Sequence, residues 1–375
     1  MNIKSLYKKY YGFVDTKGER LEKTKTRTAE LFSVVRRQKM YKSIEWTSKQ
    51  QQEFDYFWKQ NYGKTISNKW HKIYESINGQ HCVEYIPEIL YTTQIEYLLN
   101  DYNYSKVFED KSLIETISRG ACCCVPETLV VCSKGIYFDN KRNVVSFSGA
   151  CRLIENYKND IVIKPTINTG SGKNIHFVNG GDLEKVKLLL KGMGNDFIVQ
   201  AAIIPDPVFA SLNPASINTL RVTTYILNNN IYHMPIACRM GGGDSKLDNI
   251  HAGGIGVGVL DDGRMMEEGY LLGYGDNNKK YYEHPYTKVV FSDIVLPSVN
   301  KVIEAAYEVH VRLPHIGIIS WDFTVNRDGD PVLIEANLRN QGIWFPQMIH
   351  GKGAFDDNTE KILKLLRELR GNRLI

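Results

Sequence analysis

The stretch "WDFTVNRDGDPVLIEANLRNQG", residues 321–342, predicts two strands joined by a tight turn, with oxygen-bearing side chains inside apolar runs. A turn on the Asp-Gly pair that ends at Gly329 places Asp322 opposite Glu335. Asn337 lies two residues beyond Glu335, on the same strand face. Carboxylate and amide oxygens are ligands that Mg²⁺ prefers. The flanking apolar residues indicate a sheet covered on both faces, where an unpaired carboxylate is costly. The hairpin therefore predicts a metal site, with a solvated polar face as the alternative.

The composition is that of an ordinary globular protein with enough apolar material for a core. The chain has 375 residues, of which 43% are hydrophobic and 24% charged. At roughly 150 residues per domain this length predicts two or three lobes. The net charge of +5 is too small to indicate nucleic-acid binding, although it suits a phosphate-bearing ligand.

The positive charge is concentrated in the first 50 residues, as in "RRQKMYK" at 36–42. This run indicates a solvated helix face, with contact to a membrane surface or an acidic partner as the alternative. We find no integral membrane segment and no signal peptide in the pattern, because no apolar run approaches the required length. The seven cysteines contain no C-x-x-C pair, which favours a reducing cytoplasm.

The order of patterns along the chain predicts helices followed by antiparallel hairpins. Residues 1–75 are mainly helical, and one helix has an N-cap at Thr47, a partner at Gln50 and a stop at Gly63. Beyond residue 126, short β-rich runs alternate with turns and a few amphipathic helices. This order indicates α+β lobes rather than a doubly wound parallel sheet.

A lysine and a glycine loop lie together in "DIVIKPTINTGSGKNIHFV", residues 160–178. Lys164 falls inside an apolar strand, where lysine is rarely buried without a partner. The Gly-rich turn beyond it can direct backbone N–H groups at phosphate oxygens. The segment predicts a phosphate clamp, and a surface hairpin with an exposed lysine is the alternative. It is not a Walker A loop, because Asn174 stands where Ser or Thr is required.

Two further strands each carry an arginine, at Arg221 and Arg239. The planar guanidinium suits a phosphate or a carboxylate. Arg239 leads into a Gly-rich stretch that contains Asp248 and His251. His251 taken alone is more often structural than catalytic.

In this order, the features resemble the ATP-grasp superfamily, and in particular its sugar-transfer-associated branch, over about residues 85–350. The resemblance rests on the lysine strand with its glycine loop, "VQ", "NTLRV", "DN..AGG" and the final hairpin. It implies an α+β fold in which two lobes grip ATP, with a helical N-terminal extension. It also implies a division into a helical region 1–84, a first core part 85–125, a lid subdomain 126–200 and a catalytic subdomain 201–375.

The resemblance further implies roles for individual residues. The nucleotide contacts would be Lys111, Lys164, Gly170, Ser171, Gly172, Gln200, Ala201, Ala202, Ile203, Asp206 and Asn249. Arg221, Arg239 and Lys164 would act on the transferring phosphoryl group, and Asp322, Glu335 and Asn337 would bind Mg²⁺, or Mn²⁺ in its place. Ala201 stands where the family has an acidic hinge residue, which leaves the ribose contact at Asp206 open. Arg339, Trp344, Gln347 and His251 would line an acceptor pocket, with packing of "IWFPQM" under the C-terminal helix as the alternative.

The activity implied is ATP-dependent ligation of a carboxylate to an amine through an acylphosphate. The substrate would be sugar-linked or an amino acid in surface-polysaccharide biosynthesis, with polysaccharide-assembly enzymes as partners. A small-molecule kinase on the same scaffold is the first alternative, and a non-catalytic nucleotide-binding regulator is the second.

Overall fold

The computed structural model describes residues 3–167, 174–248, 253–271 and 278–371, with side chains from residue 20 to residue 370. The described chain forms two compact units. Residues 3–99 and 342–371 make up the first, and residues 100–271 and 278–341 make up the second.

The first unit is helical, and the second combines helices with two sheets. The α-helices of the described residues, in chain order, are α1 Ile3–Arg36, α2 Gln38–Lys42, α3 Ser48–Tyr62, α4 Lys69–Asn78, α5 Glu88–Leu90, α6 Glu96–Leu99, α7 Tyr102–Phe108, α8 Ile114–Ser118, α9 Phe147–Tyr157, α10 Leu183–Gly192, α11 Pro207–Leu212, α12 Val299–His310, α13 Trp344–His350 and α14 Thr359–Gly371. A π-helical turn, Tyr91–Ile95, joins α5 to α6. None of the helices in the described ranges is both long and apolar enough to cross a membrane.

The helix α3 begins and ends where the sequence predicts. The Thr47 side chain accepts a hydrogen bond from the Gln50 N–H, and the Gln50 side chain accepts one from the Thr47 N–H, which completes a capping box. Gly63 ends the helix in the left-handed conformation, with φ of 83°. Phe54 and Trp58 lie on its buried face. The predicted helical N-terminal region is therefore confirmed.

One antiparallel sheet lies in the middle of the chain. Its strands are β1 Thr128–Ser133, β2 Ile136–Asp139, β3 Val144–Val145, β4 Asp160–Pro165, β5 His176–Asn179 and β6 Phe197–Ala201. Their spatial order is β3-β2-β1-β6-β4-β5. The helices α9 and α10 cover one face and close an apolar core. β4 carries Lys164 and is flanked by β6 and β5, so that lysine lies in the interior of the sheet.

A larger antiparallel sheet follows. Its strands are β7 Thr219–Leu227, β8 Asn230–His233, β9 Ile236–Met240, β10 Ile255–Val259, β11 Met265–Leu271, β12 Lys279–Tyr281, β13 Ile318–Val325 and β14 Pro331–Asn337. The order is β12-β11-β10-β9-β7-β13-β14, and β8 pairs with β7. Asn228 and Asn229 turn the chain between β7 and β8 at positive φ, as the run of asparagines predicts. The buried face of α12 packs against β7 and β13.

In the hairpin of β13 and β14, Asp322 and Glu335 face each other as predicted, but a longer turn and a β-bulge produce this register. Asp322 lies opposite Glu335, but Phe323 lies opposite Leu333. Ile334 is therefore an extra residue, a β-bulge, and the loop itself is one residue longer than an Asp-Gly turn would need. In a regular strand Leu333 and Glu335 would share a face. The bulge lets Leu333 enter the core while Glu335 faces the site with Asp322.

Two antiparallel sheets with helices packed against them confirm the predicted α+β class. The division at residues 84, 125 and 200 is not tested by these findings and stays a prediction.

Candidate active site

A row of charged side chains crosses neighbouring strands of the larger sheet. Arg221 on β7 lies directly opposite Asp322 on β13, and Asp322 lies opposite Glu335 on β14. Directly opposed residues of an antiparallel pair share a face. On the other side of β7, Arg239 on β9 lies opposite Thr219, two residues before Arg221 and so on the same face. Strand register alone therefore collects the four predicted charged residues of this sheet on one surface.

Asp322 is held between the two arginines. The Arg221 Nε and Nη2 atoms donate to its two carboxylate oxygens at 2.5 and 3.0 Å, a two-pronged ion pair. The Arg239 Nη2 lies 3.0 Å from Asp322 Oδ1. Burial tends to raise the pKa of Asp322, but attraction from Arg221 and then Arg239 outweighs it and holds the pKa below its ordinary value. The carboxylate is therefore ionised at neutral pH.

Arg239 is fixed by two residues that the sequence did not identify as part of the site. Its Nη2 donates a hydrogen bond to the Thr219 hydroxyl at 2.8 Å and forms an ion pair with Asp248 Oδ2 at 3.4 Å. The Thr219 hydroxyl also donates to Asp248. Although burial acts to lower the pKa of Arg239, the carboxylates of Asp322 and Asp248 raise it above its usual value. The spacing Thr219-x-Arg221 was the available signal, since it puts the threonine on the arginine face.

Two lysines complete the cluster. The Lys111 Nζ lies 3.0 Å from Glu335 Oε1, and its backbone N–H donates to the Thr166 carbonyl just after β4. That bond brings Lys111 close to Lys164. Burial lowers the pKa of Lys164 to about 8, with Glu335 opposing the shift and Lys111 adding to it. Because burial destabilises the charged form of Lys164, a phosphate bound beside it would stabilise that form.

The charges of this cluster suit a polyphosphate with a divalent cation. Four cationic side chains meet three carboxylates, which leaves a positive excess. In the described part of the chain no three His, Cys, Asp or Glu side chains converge as a metal site. Beside the carboxylates of Asp322 and Glu335, the Asn337 Nδ2 donates to the Ser320 carbonyl and to Asp322 Oδ2 at 3.4 Å, and its Oδ1 is the oxygen that could bind a cation. Asp322, Glu335 and Asn337 thus fit Mg²⁺ in donor chemistry.

The family model for sugar-transfer associated ATP-grasp proteins matches residues 91–362. The chain belongs to this family. The predicted ATP-grasp fold is confirmed accordingly.

No curated protein matches the sequence. Solved structures similar to this ATP-grasp chain include VanG D-Ala:D-Ser ligase from Enterococcus faecalis, with 14% identity over 71% of this chain and 63% of that one and a TM-score of 0.40. Another is the ADP complex of purK, an N5-carboxyaminoimidazole ribonucleotide synthetase, with 12% identity, 64% and 46% coverage and a TM-score of 0.39. A third is D-cycloserine synthetase DcsG, with 12% identity, 71% coverage of both chains and a TM-score of 0.38. The present chain therefore spans about half the length of the purK synthetase.

In the segment predicted as the adenine hinge of this ATP-grasp protein, some backbone groups already form hydrogen bonds within the smaller sheet and its flanking residues. The Ala201 N–H donates to the Glu127 carbonyl, and the Ala202 N–H donates to the Asp160 carbonyl. The Gln200 amide donates to the Pro126 carbonyl at 3.2 Å. The N–H groups of Ala201 and Ala202 are therefore both used within the sheet. Adenine recognition by the backbone around Gln200–Ile203 stays a prediction.

Asp206, the predicted ribose contact, caps a helix. Its Oδ1 accepts a hydrogen bond from the Val208 N–H at 2.7 Å at the start of α11, and Pro207 is the first helical residue. A ribose contact would have to use the other carboxylate oxygen. Several predicted residues, namely Gly170, Ser171, Gly172, Asn249 and His251, lie outside the described residues.

The predicted acceptor residues fall into both units. Arg339 belongs to the sheet-bearing unit and forms an ion pair with Glu109. Trp344 and Gln347 belong to the helical unit, where Trp344 begins α13. Gln347 is completely buried, and its amide accepts from the Ile86 N–H at 2.9 Å and donates to the Ile86 carbonyl at 2.8 Å. These bonds support the packing alternative for Gln347, and the acceptor role of Arg339, Trp344 and Gln347 stays a prediction.

Proposed function

We propose that this protein is a Mg²⁺- and ATP-dependent ligase that joins a carboxylate to an amine. The observation that supports the proposal is the row of Arg239, Arg221, Asp322 and Glu335 across four strands, with two lysines converging on its end. Its positive excess and its oxygen ligands suit a nucleotide polyphosphate with a divalent cation. Family membership supports the same assignment.

In the proposed site the two lysines bind the phosphates. Lys164 is buried and poorly compensated, so it gains most from an anion, and Lys111 can exchange Glu335 for a phosphate oxygen. Gly170 to Gly172 would add backbone N–H donors within a lid formed by residues 126–200. Asp322, Glu335 and Asn337 would bind Mg²⁺, which would neutralise phosphate charge and orient the terminal phosphoryl group.

The proposed reaction has two displacements. A substrate carboxylate oxygen forms a bond to the terminal phosphorus of ATP, the bond between that phosphorus and its bridging oxygen breaks, and ADP leaves. An amine then forms a bond to the acyl carbon, phosphate leaves with the electrons of the C–O bond, and the proton that the amine nitrogen loses passes to the departing phosphate. Arg221 and Arg239 stabilise the oxygens on which negative charge collects. The protein needs no nucleophile of its own for this sequence.

The substrate class is also part of the proposal. A sugar-linked or amino-acid carboxylate used in surface-polysaccharide assembly is supported by the sugar-transfer association in the description of the family. We propose a cytoplasmic location for the reaction, since ATP is the energy source.

The test is ADP release with panels of acids and amines, with product detection by mass and phosphorus spectra. Glu335→Gln is expected to lower the turnover by about a hundredfold or more, and Glu304→Gln, an exposed change on α12, is the matched control. If an acid or alcohol alone yields a stable phosphorylated product and no amine adds, the protein is a kinase. If ATP binds and ADP never forms with any panel member, the regulator alternative stands and the ligase proposal fails.

A further inference from the structure

The helix α1 turns a polar face toward its own unit. Between residues 20 and 37 the half-buried positions recur at helical spacing and are Lys23, Thr26, Glu30, Ser33, Val34 and Arg37. They face α5 and the π-helical turn 91–95, against which α1 packs. All but one of these residues are polar. This distribution is the reverse of the usual surface helix, whose apolar face lies inward.

Specific contacts hold this polar face in place. The Lys23 ammonium lies 4.2 Å from the centre of the Tyr97 ring. Arg37 donates to the Ser33 carbonyl at 3.2 Å and to the Ser33 hydroxyl. Burial raises the pKa of Glu30, and Arg37 partly offsets that effect. The Lys23–Tyr97 contact therefore joins this face of α1 to α6, whereas the Arg37–Ser33 bonds are local to the end of α1.

The opposite face of α1 is apolar and exposed. Leu21 is 70% exposed, Phe32 and Val35 are each 61% exposed, and Leu31 is 52% exposed. At 3.6 residues per turn these four side chains lie within one stripe, on the side of the helix away from Glu30. Large apolar side chains grouped on one helix face mark an interaction surface more strongly than scattered ones.

Two threonines in the stripe have their hydroxyl groups occupied. The Thr24 hydroxyl donates to the Arg20 carbonyl at 2.7 Å, and the Thr28 hydroxyl donates to the Thr24 carbonyl at 2.8 Å. A hydroxyl bonded to its own helix needs less water, and the threonine methyl group remains available for apolar contact. The stripe is thus apolar along its length from Leu21 to Val35.

Cations flank the stripe on both sides. Arg20 and Arg27 are exposed along one edge, and Lys25 is exposed along the other, whereas Glu22 is the exposed acid of this segment. We propose that the outward face of α1 binds an anionic lipid bilayer, with the helix lying in the plane of the interface. The apolar stripe would enter the boundary of the acyl chains, and the arginines and lysine would meet lipid phosphates.

The charge pattern favours a bilayer over a second copy of this chain. The sequence continues the apolar spacing toward the N-terminus at Ile3, Tyr7, Tyr10 and Val14, which resembles a coiled-coil repeat. In a self-associated pair the positions beside the seam would bring Arg20, Lys25 and Arg27 against cations of the other copy. Like charges there oppose pairing, whereas an anionic surface attracts all three.

The experiment is co-sedimentation of the full chain with vesicles. One set contains phosphatidylcholine alone, and the other contains phosphatidylcholine mixed with phosphatidylglycerol. We expect binding to the second set and little to the first. Combined Leu21→Ser, Phe32→Ser and Val35→Ser should weaken that binding by about tenfold or more. Combined Arg20→Gln, Lys25→Gln and Arg27→Gln should weaken it by a similar factor.

Matched control variants distinguish vesicle binding through this surface from nonspecific binding. Leu188, Val311 and Tyr56 are 72%, 61% and 67% exposed at other places, and their combined change to Ser should leave vesicle binding intact. The control for the charge variant is the combined change of the exposed Lys49, Lys141 and Lys185 to Gln, which should also leave vesicle binding intact. Circular dichroism checks that each variant keeps its helices.

Two results would overturn the proposal. The first is vesicle binding that does not depend on phosphatidylglycerol or is unchanged by the stripe variant. The second is a dimer, seen by sedimentation velocity, that the stripe variant dissociates while vesicles bind neither protein. A second copy would then cover the face.

Discussion

Lys164 is a buried cation whose charge lowers the stability of the folded chain. Its pKa of about 8 lies below the ordinary 10.5, so the folded state binds its proton less tightly than the unfolded state does. The resulting loss in the free energy of unfolding is complete below pH 8 and disappears as pH rises toward 10.5. We expect Lys164→Met to stabilise the protein at pH 7 by roughly 1–3 kcal/mol and to abolish ADP binding. Urea unfolding and calorimetric titration measure the two effects.

Lys164→Arg is the matched variant for charge. Arginine keeps its charge over the whole range, whereas Lys164 loses its proton as pH rises through about 8. Affinity of the unsubstituted protein for ADP should therefore fall between pH 7 and pH 9, and that of Lys164→Arg should fall less. A Lys164→Met protein that is less stable and still binds ADP would contradict the assignment.

The Asp322 carboxylate balances the charges of Arg221 and Arg239, so its replacement should lower the free energy of unfolding. In Asp322→Asn the guanidinium of Arg221 keeps its burial and loses its carboxylate partner, while Arg239 retains Asp248. Removing one partner of a buried ion pair typically costs about 3–5 kcal/mol. Urea unfolding should show a loss of this size, whereas Asp328→Asn in the exposed turn should change stability by less than about 0.5 kcal/mol. A loss below that seen for Asp328→Asn would show that the arginines need no compensation.

Residue types in strands allowed most of the cluster to be predicted. Asp322, Glu335 and Lys164 stand out because a charged residue in an apolar run needs a partner. Thr219 and Asp248 were missed because their contact with Arg239 forms only in the folded sheet. Asp206 and Gln347 fulfil structural roles: the Asp-Pro pair at 206–207 is a local helix-start pattern, whereas no local pattern reveals the role of Gln347. For Gln347 the partner, Ile86, is far away in the chain.

Among the elements, the hairpin of β13 and β14 shows both the success and the limit of pattern reasoning. Its strands and the facing pair Asp322 and Glu335 were predicted from the turn residues. The turn is longer than assumed, and the bulge at Ile334 restores the register by the same one residue. A bulge depends on which neighbouring residue the core accepts, here Leu333, and this depends on packing rather than on turn chemistry.

The capping box of α3 gives a prediction about an element of the helical unit. Thr47→Ala removes the acceptor for the Gln50 N–H and one half of the reciprocal pair. We expect a loss of about 1 kcal/mol in the free energy of unfolding. Urea unfolding followed by circular dichroism tests this value. Thr65→Ala, an exposed threonine outside the helices, should have little effect, and equal losses for both variants would contradict the capping assignment.

For the whole molecule, the α+β class followed from the order of hairpins and helices, because that order is written in local patterns. The meeting of Lys111, Lys164 and Glu335 was implied only by the family resemblance. It depends on a backbone bond from Lys111 to Thr166 and on the approach of both lysines to Glu335, neither of which has a signature in the sequence. Long-range placement is therefore the part that the structure adds.

Ligand binding should be visible as a change in the stability of the whole chain. A ligand at about 100 times its Kd stabilises the folded state by about 2.7 kcal/mol. We expect Mg²⁺ with ADP to raise Tm by roughly 3 °C, and ADP with a chelator to raise it less. The reason is that ADP alone satisfies Lys111 and Lys164, whereas Mg²⁺ would add a shared cation to Glu335, Asn337 and the arginine-paired Asp322. Asn337→Ala should keep the smaller shift and lose the increment due to Mg²⁺, because it removes a neutral ligand and no charge. Equal shifts with and without the chelator, or a full Mg²⁺ increment in Asn337→Ala, would show that these three residues do not bind the metal.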